Sequence, residues 1–530
     1  MAQVACLALS RLCCQPPSRM SPWALVATVV VLAACAPSTG EDESVARYVL
    51  CQDAPSPPAA RLPGGRLSVF AASIARRWNV GVVLRAALMW ESDAQGWMPH
   101  FSRIGADTPD SPFTGNVEAM SYEDAAHRTG ISPDAFASPA QRREVMGRYA
   151  KCFGASVPES ARLRVRLGLH AGAGAIPANA SYSTNACGIM RFRNGELEHE
   201  VAHCGMPPGT ARSWRVARGG APARLNLDLG AALDPGEELW PLSLQLCRVD
   251  KPLMAMSFCS MPLYRMRELK HELPIALEDW LAYHLNVAGL EHAEIYDVDG
   301  SFEEALRPEV RKWLVASGKL TYHKRWPETL SAGMAKLSAA HPSCSETWAY
   351  LHCLTTHRAL SRWVAILHSP DEYLAAPTAA HPGGVVEAFE HAMASSPKDS
   401  WIPYISIQAA NRASSGMSVD ALHQCGAVLA ASGFRGPNYY PHTPILDPAA
   451  CACAGPHACY KSVSAFTYGG PMLTIDASFM VVHHFVEMLS RDRGRCSRLP
   501  ASGGVCSVED DSMAWVLPLL RAGVPWSFPA

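Results

Sequence analysis

Trp363-Val364-Ala365-Ile366-Leu367-His368-Ser369-Pro370-Asp371-Glu372-Tyr373 runs from five apolar residues into a polar turn carrying two carboxylates beside an aromatic ring. A short apolar run closed by turn residues reads as a buried strand. The scheme recurs upstream. Met254 to Cys259 is a strand, and the helix after Pro274 collects Leu277, Trp280, Leu281, His284, Leu285 and Ala288 on one face and stops at Gly289. Ala293 to Tyr296 is a strand ended by Asp297-Val298-Asp299-Gly300. A helix gathering Phe302, Leu306, Val310, Trp313 and Leu314 then ends at Gly318, before a strand from Leu320 to His323. A helix around Thr347 to Leu360 leads back to the opening strand. This βαβαβαβ order predicts a largely parallel sheet flanked by helices. Ligands bind such sheets beyond the carboxyl ends of the strands, so the loops after Cys259, Tyr296 and Leu367 are where chemistry is expected.

Upstream of this α/β half, residues 159–252 show short alternating runs, Leu163, Val165, Leu167 and Leu169, then Leu225, Leu227 and Leu229. They predict a smaller β-rich domain, with Cys187, Cys204 and Cys247 as candidate staples. Residues 67–158 have no assigned function and include a stretch read as helical, Ser68 to Trp78. The Pro-, Ser- and Gly-rich residues 38–66 read as a stem linker. Trp23 to Ala36 is apolar apart from Thr28, with Arg11 and Arg19 before it and acids after it, the positive-inside pattern. Residues 22–37 are therefore read as a signal anchor behind a cytoplasmic tail, 1–21. A cleaved signal peptide, giving a secreted protein, and a lipoprotein box at Leu32-Ala33-Ala34-Cys35 stay open. All three send the chain out of the cytosol. Fourteen of the 18 cysteines lie beyond Cys35, which suits an oxidising compartment. The formal net charge of -2 gives no electrostatic reason to expect nucleic acid.

The acids after Leu367 suit one chemistry well. A nucleotide-sugar transferase needs oxygen ligands at a strand end, because a divalent cation must offset charge on the leaving diphosphate. Taken alone, an Asp-Glu pair there is more often a turn or a helix cap. Glu372 and Asp476 are candidates for the base that accepts the acceptor's proton. Cys451, Cys453, His457 and Cys459 could bind zinc, although disulfides are the stronger expectation in an oxidising lumen. His352, His357 and His368 read as isolated packing or surface residues, and Trp280, Trp313, Trp348 and Trp363 as core. A hydrolase with paired carboxylates finds no second acid at a suitable spacing.

Several stretches resemble glycosyltransferase family 92 in order and approximate spacing, over roughly half the chain. They are Phe258-Cys259-Ser260-Met261-Pro262-Leu263-Tyr264, Glu278 to His284 with Gly289, Ile295-Tyr296-Asp297, Cys353, Trp363, Asp371-Glu372-Tyr373, Lys461-Ser462-Val463 and His483-His484-Phe485. The resemblance implies a GT-A fold, a type II Golgi membrane enzyme with its catalytic domain at 253–515 in the lumen, and a divalent metal, manganese. It implies inverting transfer of a hexose, often galactose, from a UDP-sugar donor to a glycan acceptor. By position, Asp371 and His484 would be metal ligands, Asp371 and Glu372 catalytic, and Tyr264, Arg265 and Asp297 donor-binding. Three departures stand out. Ser369 occupies the place of the family's first acid, Glu346 that of a glutamine, and His483 that of an asparagine.

Overall fold

The computed structural model describes residues 46–51, 57–63, 65–77, 81–92, 164–169, 185–186, 188–194, 197–205, 223–232, 240–331, 335, 338, 345–395, 404–407, 409–414, 424–426, 443–454, 459–462, 472–475, 479–485 and 509–510. All of them fall within a unit running from Ala46 to Ala530. The segment read as an anchor, 22–37, lies outside them. Among the described residues no helix is long and apolar enough to cross a membrane.

Ten strands build the first sheet. They are β1 (Arg47–Leu50), β2 (Ala59–Leu62), β3 (Gly65–Arg77), β4 (Gly81–Ser92), β5 (Arg164–Leu169), β6 (Asn185–Ala186), β7 (Gly188–Asn194), β8 (Leu197–Gly205), β9 (Arg224–Ala232) and β10 (Trp240–Val249). Every pairing is antiparallel, in the order β6-β5-β9-β10-β1-β3-β4-β8-β7, with β2 added on β3. The alternating leucines read from the sequence meet across strands: Leu225 faces Leu246, Leu227 faces Leu244 and Leu229 faces Leu242, all buried. Such directly opposed pairs are the unit that stabilises an antiparallel sheet.

Two expectations are corrected here. The helical reading of Ser68 to Trp78 gives way over Ser68 to Arg77, because Gly65–Arg77 is strand β3. Leu67 to Ala75 are buried on both faces of that strand. A strand covered on both faces loses its period of two and reads as a plain apolar run. The stem reading of 38–66 also gives way, because Arg47–Leu50 and Ala59–Leu62 are strands of this sheet. Four-residue strands show too little periodicity to be seen, and β1 has a remote partner in β10: the adjoining Cys51 is disulfide-bonded to Cys247, 196 positions away. The β-rich part is thus one sheet that recruits the chain from Arg47 onwards.

The second sheet has seven strands: β11 (Met254–Leu263), β12 (His292–Asp297), β13 (Leu320–Lys324), β14 (Ser361–Leu367), β16 (Tyr404–Ile407), β19 (Thr443–Leu446) and β22 (Met472–Ile475). Its order is β13-β12-β11-β14-β19-β16-β22. β19 runs antiparallel to both neighbours, and all other pairings are parallel. The chain therefore forms a mixed α/β structure, with a mostly parallel sheet after an antiparallel one. A third sheet, β15 (Glu372–Ala375), β23 (Val481–Phe485), β17 (Ala409–Ser414), β18 (Gln424–Gly426) and β24 (Glu509–Asp510), adjoins the acidic turn. β20 (Cys451–Ala454) and β21 (Cys459–Ser462) form a hairpin, and Cys451 is disulfide-bonded.

Helices α1 (Met266–Glu272), α2 (Ala276–Ala282), α3 (Ser301–Ala305), α4 (Pro308–Ala316), α5 (Glu346–His357) and α6 (Gly384–Ser395) connect these strands. The helix read through Phe302 and Leu314 is two helices. Pro308 has no N–H to continue the ladder and holds Arg307 extended, with ψ 135°. α2 passes into a π-turn over Tyr283–Val287 and is closed by Gly289 at φ +88°. A Cβ on Gly289 would lie 2.9 Å from the Gly383 Cα. Gly289→Ala is therefore expected to cost about 1–3 kcal/mol, from left-handed strain plus a backbone clash. Gly318→Ala, whose Cβ would meet only the mobile end of Lys251 at 3.2 Å, should cost less. Urea unfolding of both variants checks the order.

Candidate functional site

The chain leaves β11 for β12 and β13 on one side and returns to β14 on the other, so the strand order reverses between β11 and β14. Neighbouring loops diverge at such a point and leave a crevice beyond the carboxyl ends. The ends meeting there are Leu263-Tyr264-Arg265 and Leu367-His368-Ser369-Pro370-Asp371. The register of β11 against β12 shifts between Cys259 and Pro262. Within that irregularity the Met261 N–H donates to the His368 carbonyl at 3.3 Å, joining the two loops.

On the first loop, Tyr264 is half-buried and Arg265 is exposed. Arg265 sits at φ 58° and starts α1. Its N–H donates to Asp299 Oδ2 at 2.9 Å, while the Ser301 N–H donates to Asp299 Oδ1 at 3.0 Å. Burial raises the Asp299 carboxyl, but the Ser301 and Arg265 donors outweigh it and hold the group below its ordinary range. Asp297 is also committed locally. It accepts from the Gly300 N–H at 3.0 Å, the Phe302 N–H at 3.2 Å and the Tyr322 hydroxyl at 2.6 Å. Burial pushes it up to about 6 in spite of the Tyr322 donor. Asp297 thus ties the loop after β12 to the start of α3.

On the second loop, the Glu372 N–H donates to the Ser369 carbonyl at 3.1 Å, making a tight turn with Pro370 and Asp371 at its centre. Asp371 and Glu372 are both 1 % exposed. Ser369, the residue in place of an acid, donates its hydroxyl to Asp371 Oδ1. Glu372 turns back onto His368, accepting from its N–H at 2.9 Å and lying 3.0 Å from its Nδ1. Its carbonyl accepts from Trp280 Nε1 at 2.9 Å. His368 Nε2 lies 3.8 Å from Glu346 at the start of α5. Burial lowers His368, but the charges of Glu372, Glu346 and Asp371 prevail and raise it to about 9. The turn thus gathers three carboxylates around one imidazolium, leaving a surplus of negative charge. In the antiparallel pair β15–β23, Glu372 stands opposite His484. Directly opposed residues have Cα atoms roughly 4.5–5.5 Å apart. The strand pairing thereby brings the backbone of His484 to the acidic turn. Asp476 lies outside the described residues.

Beneath this turn is a ring cluster that fixes it. His284 lies against Phe258, Trp280, Tyr283 and Tyr373, with centroids 5.1–5.6 Å apart. Its Nδ1–H donates to the Trp280 carbonyl at 2.9 Å, and its Nε2 accepts the Leu374 N–H at 3.3 Å. Both nitrogens are used in the neutral form. Burial lowers its pKa to about 3, and burial together with the nearby His357 lowers His292 to about 4.

A second polar cluster was not legible in the sequence. Glu294 of β12, 1 % exposed, gathers His323 of β13, His352 and His357 of α5, and the Tyr296 hydroxyl. Histidines spaced along the chain as isolated packing residues thus converge on one carboxylate. The available signal was Glu294 itself, a charge inside a strand every residue of which is buried. His357 also lies 2.9 Å from Ser257 Oγ, a serine–histidine–acid chain. All three are buried, so no substrate reaches that serine. These His and Glu groups could hold a metal ion. Cys259 and Cys353 cannot join them as ligands, because they are disulfide-bonded to each other.

No protein-family model matches the chain, and no curated protein matches it either.

The neutral histidines carry a pH dependence. A buried imidazole with a lowered pKa stays unprotonated while the unfolded chain takes up a proton near pH 6.5, so stability falls as pH drops below that value. The loss levels off only near pH 3 for His284 and near pH 4 for His292. At pH 5 each should cost about 2 kcal/mol relative to pH 8. His368 and Asp297, whose raised pKa values add stability as pH drops, oppose this loss, so the check is by difference: between pH 8 and pH 5, urea unfolding of His292→Gln should show about 2 kcal/mol less loss than the wild type.

Proposed function

We propose that the chain is a metal-dependent, inverting glycosyltransferase of GT-A type, moving a hexose from a UDP-sugar to a glycan acceptor in the secretory lumen. The observation that carries this reading is Asp371: a buried carboxylate in a tight turn at the sheet's switch point, next to Glu372, which pairs with His484 across β15 and β23. The sequence resemblance to family 92 supplies the reaction. The surplus of negative charge at the turn supports a divalent cation there. Asp371 sits in the turn, the backbone of His484 is paired beside it, and Asp371, Glu372 and Glu346 outweigh the single charge of His368. A bound cation would neutralise the diphosphate leaving group.

The chain's own residues divide the remaining tasks. Asp371 and His484 hold the cation, with manganese as the expected ion. Tyr264 and Arg265, on the opposite wall of the crevice, face the nucleotide. Asp297 acts at one remove. It shapes the loop whose Asp299 accepts the Arg265 N–H, and so fixes where Arg265 starts its helix. Glu372 positions the turn through His368.

A second reading, a catalytically silent carbohydrate-binding or scaffold protein, is favoured by the Ser369 hydroxyl, which takes up a lone pair of Asp371 and adds no charge. Metal-dependent release of UDP from UDP-hexoses, with and without glycan acceptors, separates the two. The transferase reading expects turnover that a chelator abolishes and that Asp371→Ala lowers about 10²–10³-fold, the loss of roughly 3–4 kcal/mol of transition-state stabilisation. Glycan binding without UDP release, unchanged in Asp371→Ala, would establish the silent protein.

A further inference from the structure

The cluster around Glu294 has more groups than its hydrogen bonding can use. Oε1 is approached by the Tyr296 hydroxyl at 3.0 Å, His323 Nε2 at 2.8 Å and His352 Nδ1 at 3.1 Å. One carboxylate oxygen has two lone pairs for these three neighbours. Tyr296 and His352 are themselves 2.9 Å apart, so they also compete for one proton. Glu294 Oε2 is taken separately, by His357 Nε2 at 2.6 Å.

We propose that Glu294 Oε1, His323 Nε2 and His352 Nδ1 bind one divalent cation of the zinc class, with water in the fourth position. These three atoms lie within 4.8 Å of one another. Ligands at 2.0–2.2 Å from a tetrahedral ion sit roughly 3.3 Å apart, so Glu294 Oε1, at 2.8 and 3.1 Å from the two imidazole nitrogens, needs to withdraw from them by only a few tenths of an ångström. Two imidazoles and a carboxylate form a borderline donor set that suits zinc better than magnesium or calcium.

The surroundings are those of a built site. His357 holds the carboxylate oxygen that does not ligate, and Ser257 and Ser361 at 2.9 and 2.8 Å from His357 Nδ1 fix the tautomer that donates to it. Outer partners of this kind orient metal ligands. Tyr296 stacks on His323 at 4.7 Å, and Trp326 closes the wall against Tyr296, His323 and His352. Trp326 Nε1 is buried with no acceptor among the described residues. His323 and His352 keep 18 % and 12 % of their side-chain surface exposed, so the cluster is not sealed from solvent on their side. The ligands come from β12, β13 and α5, so the ion would pin the helix to the sheet. None of them belongs to the set around Asp371.

The test uses the untagged full chain, stripped with a chelator and titrated with cobalt(II) alone. One four-coordinate equivalent should appear by its intense visible bands, separate from any cobalt taken up at Asp371, and zinc should displace it. His323→Ala should lose the bands and weaken cobalt binding about 100-fold or more, with near-ultraviolet circular dichroism unchanged. His352→Gln provides the same reading should the first variant misfold. Asp371→Ala should keep the bands, whatever its effect on UDP release. A wild-type chain that shows no four-coordinate cobalt spectrum, or a folded His323→Ala that retains it, would overturn the site.

Discussion

Helix α5 lies between the two large sheets, and charged side chains at its two ends hold it there. Trp348 meets Phe70 of the antiparallel sheet with centroids 5.5 Å apart, whereas Cys353, about 140° further round the helix, is disulfide-bonded to Cys259 of the parallel sheet. At its carboxyl end, Arg358 donates to the carbonyls of Ala75 at 3.0 Å and Val83 at 2.9 Å, and His357 reaches Glu294. Arg85 answers from β4, donating to the carbonyls of Pro448, Ala449 and Cys451. Buried guanidinium groups are tolerated only with several acceptors in fixed positions. Once those carbonyls are set, the register between the sheets has little freedom.

The acidic turn inherits its geometry from that arrangement. Glu346 begins α5 and shares His368 with Glu372, so the amino end of the helix reaches the turn directly. From the other side, Trp280 and His284 hold the backbone of Glu372 and Leu374. Asp371 therefore stands on a turn whose neighbours on both sides are fixed by packing and by charge. Pre-organisation of this kind is what a cation site requires, because ligands that need no rearrangement lose little entropy on binding.

Part of this is legible in the amino-acid sequence. The strands from Met254 to Leu367 and the helix before Gly289 follow from apolar runs, turn residues and caps, all of them local signals. The leucine alternation at Leu225, Leu227 and Leu229 marked an antiparallel sheet for the same reason. Less legible were the elements whose stability comes from partners far along the chain. β1 depends on β10 some 200 positions later, and β3 is covered on both faces and shows no period of its own. The cut at Pro308 was written in the sequence but was overridden by an apolar pattern that continues across it.

For the candidate site the division is similar. That the turn of Asp371 after β14 shares one edge of the sheet with the loop at Tyr264 could be inferred from strand order alone, because parallel strands bring their carboxyl ends to one edge. The tertiary structure decided what those groups do with their charge. Asp297 became a loop tie, Glu372 became the partner of His368, and Glu294 drew in three histidines spread over 34 positions. A sequence determines which residues can form a strand or a helix, since that depends on neighbours a few positions away. Hydrogen-bond partners of buried polar groups are chosen in three dimensions, where the cost of leaving them unpaired is met by whatever side chain the packing brings close.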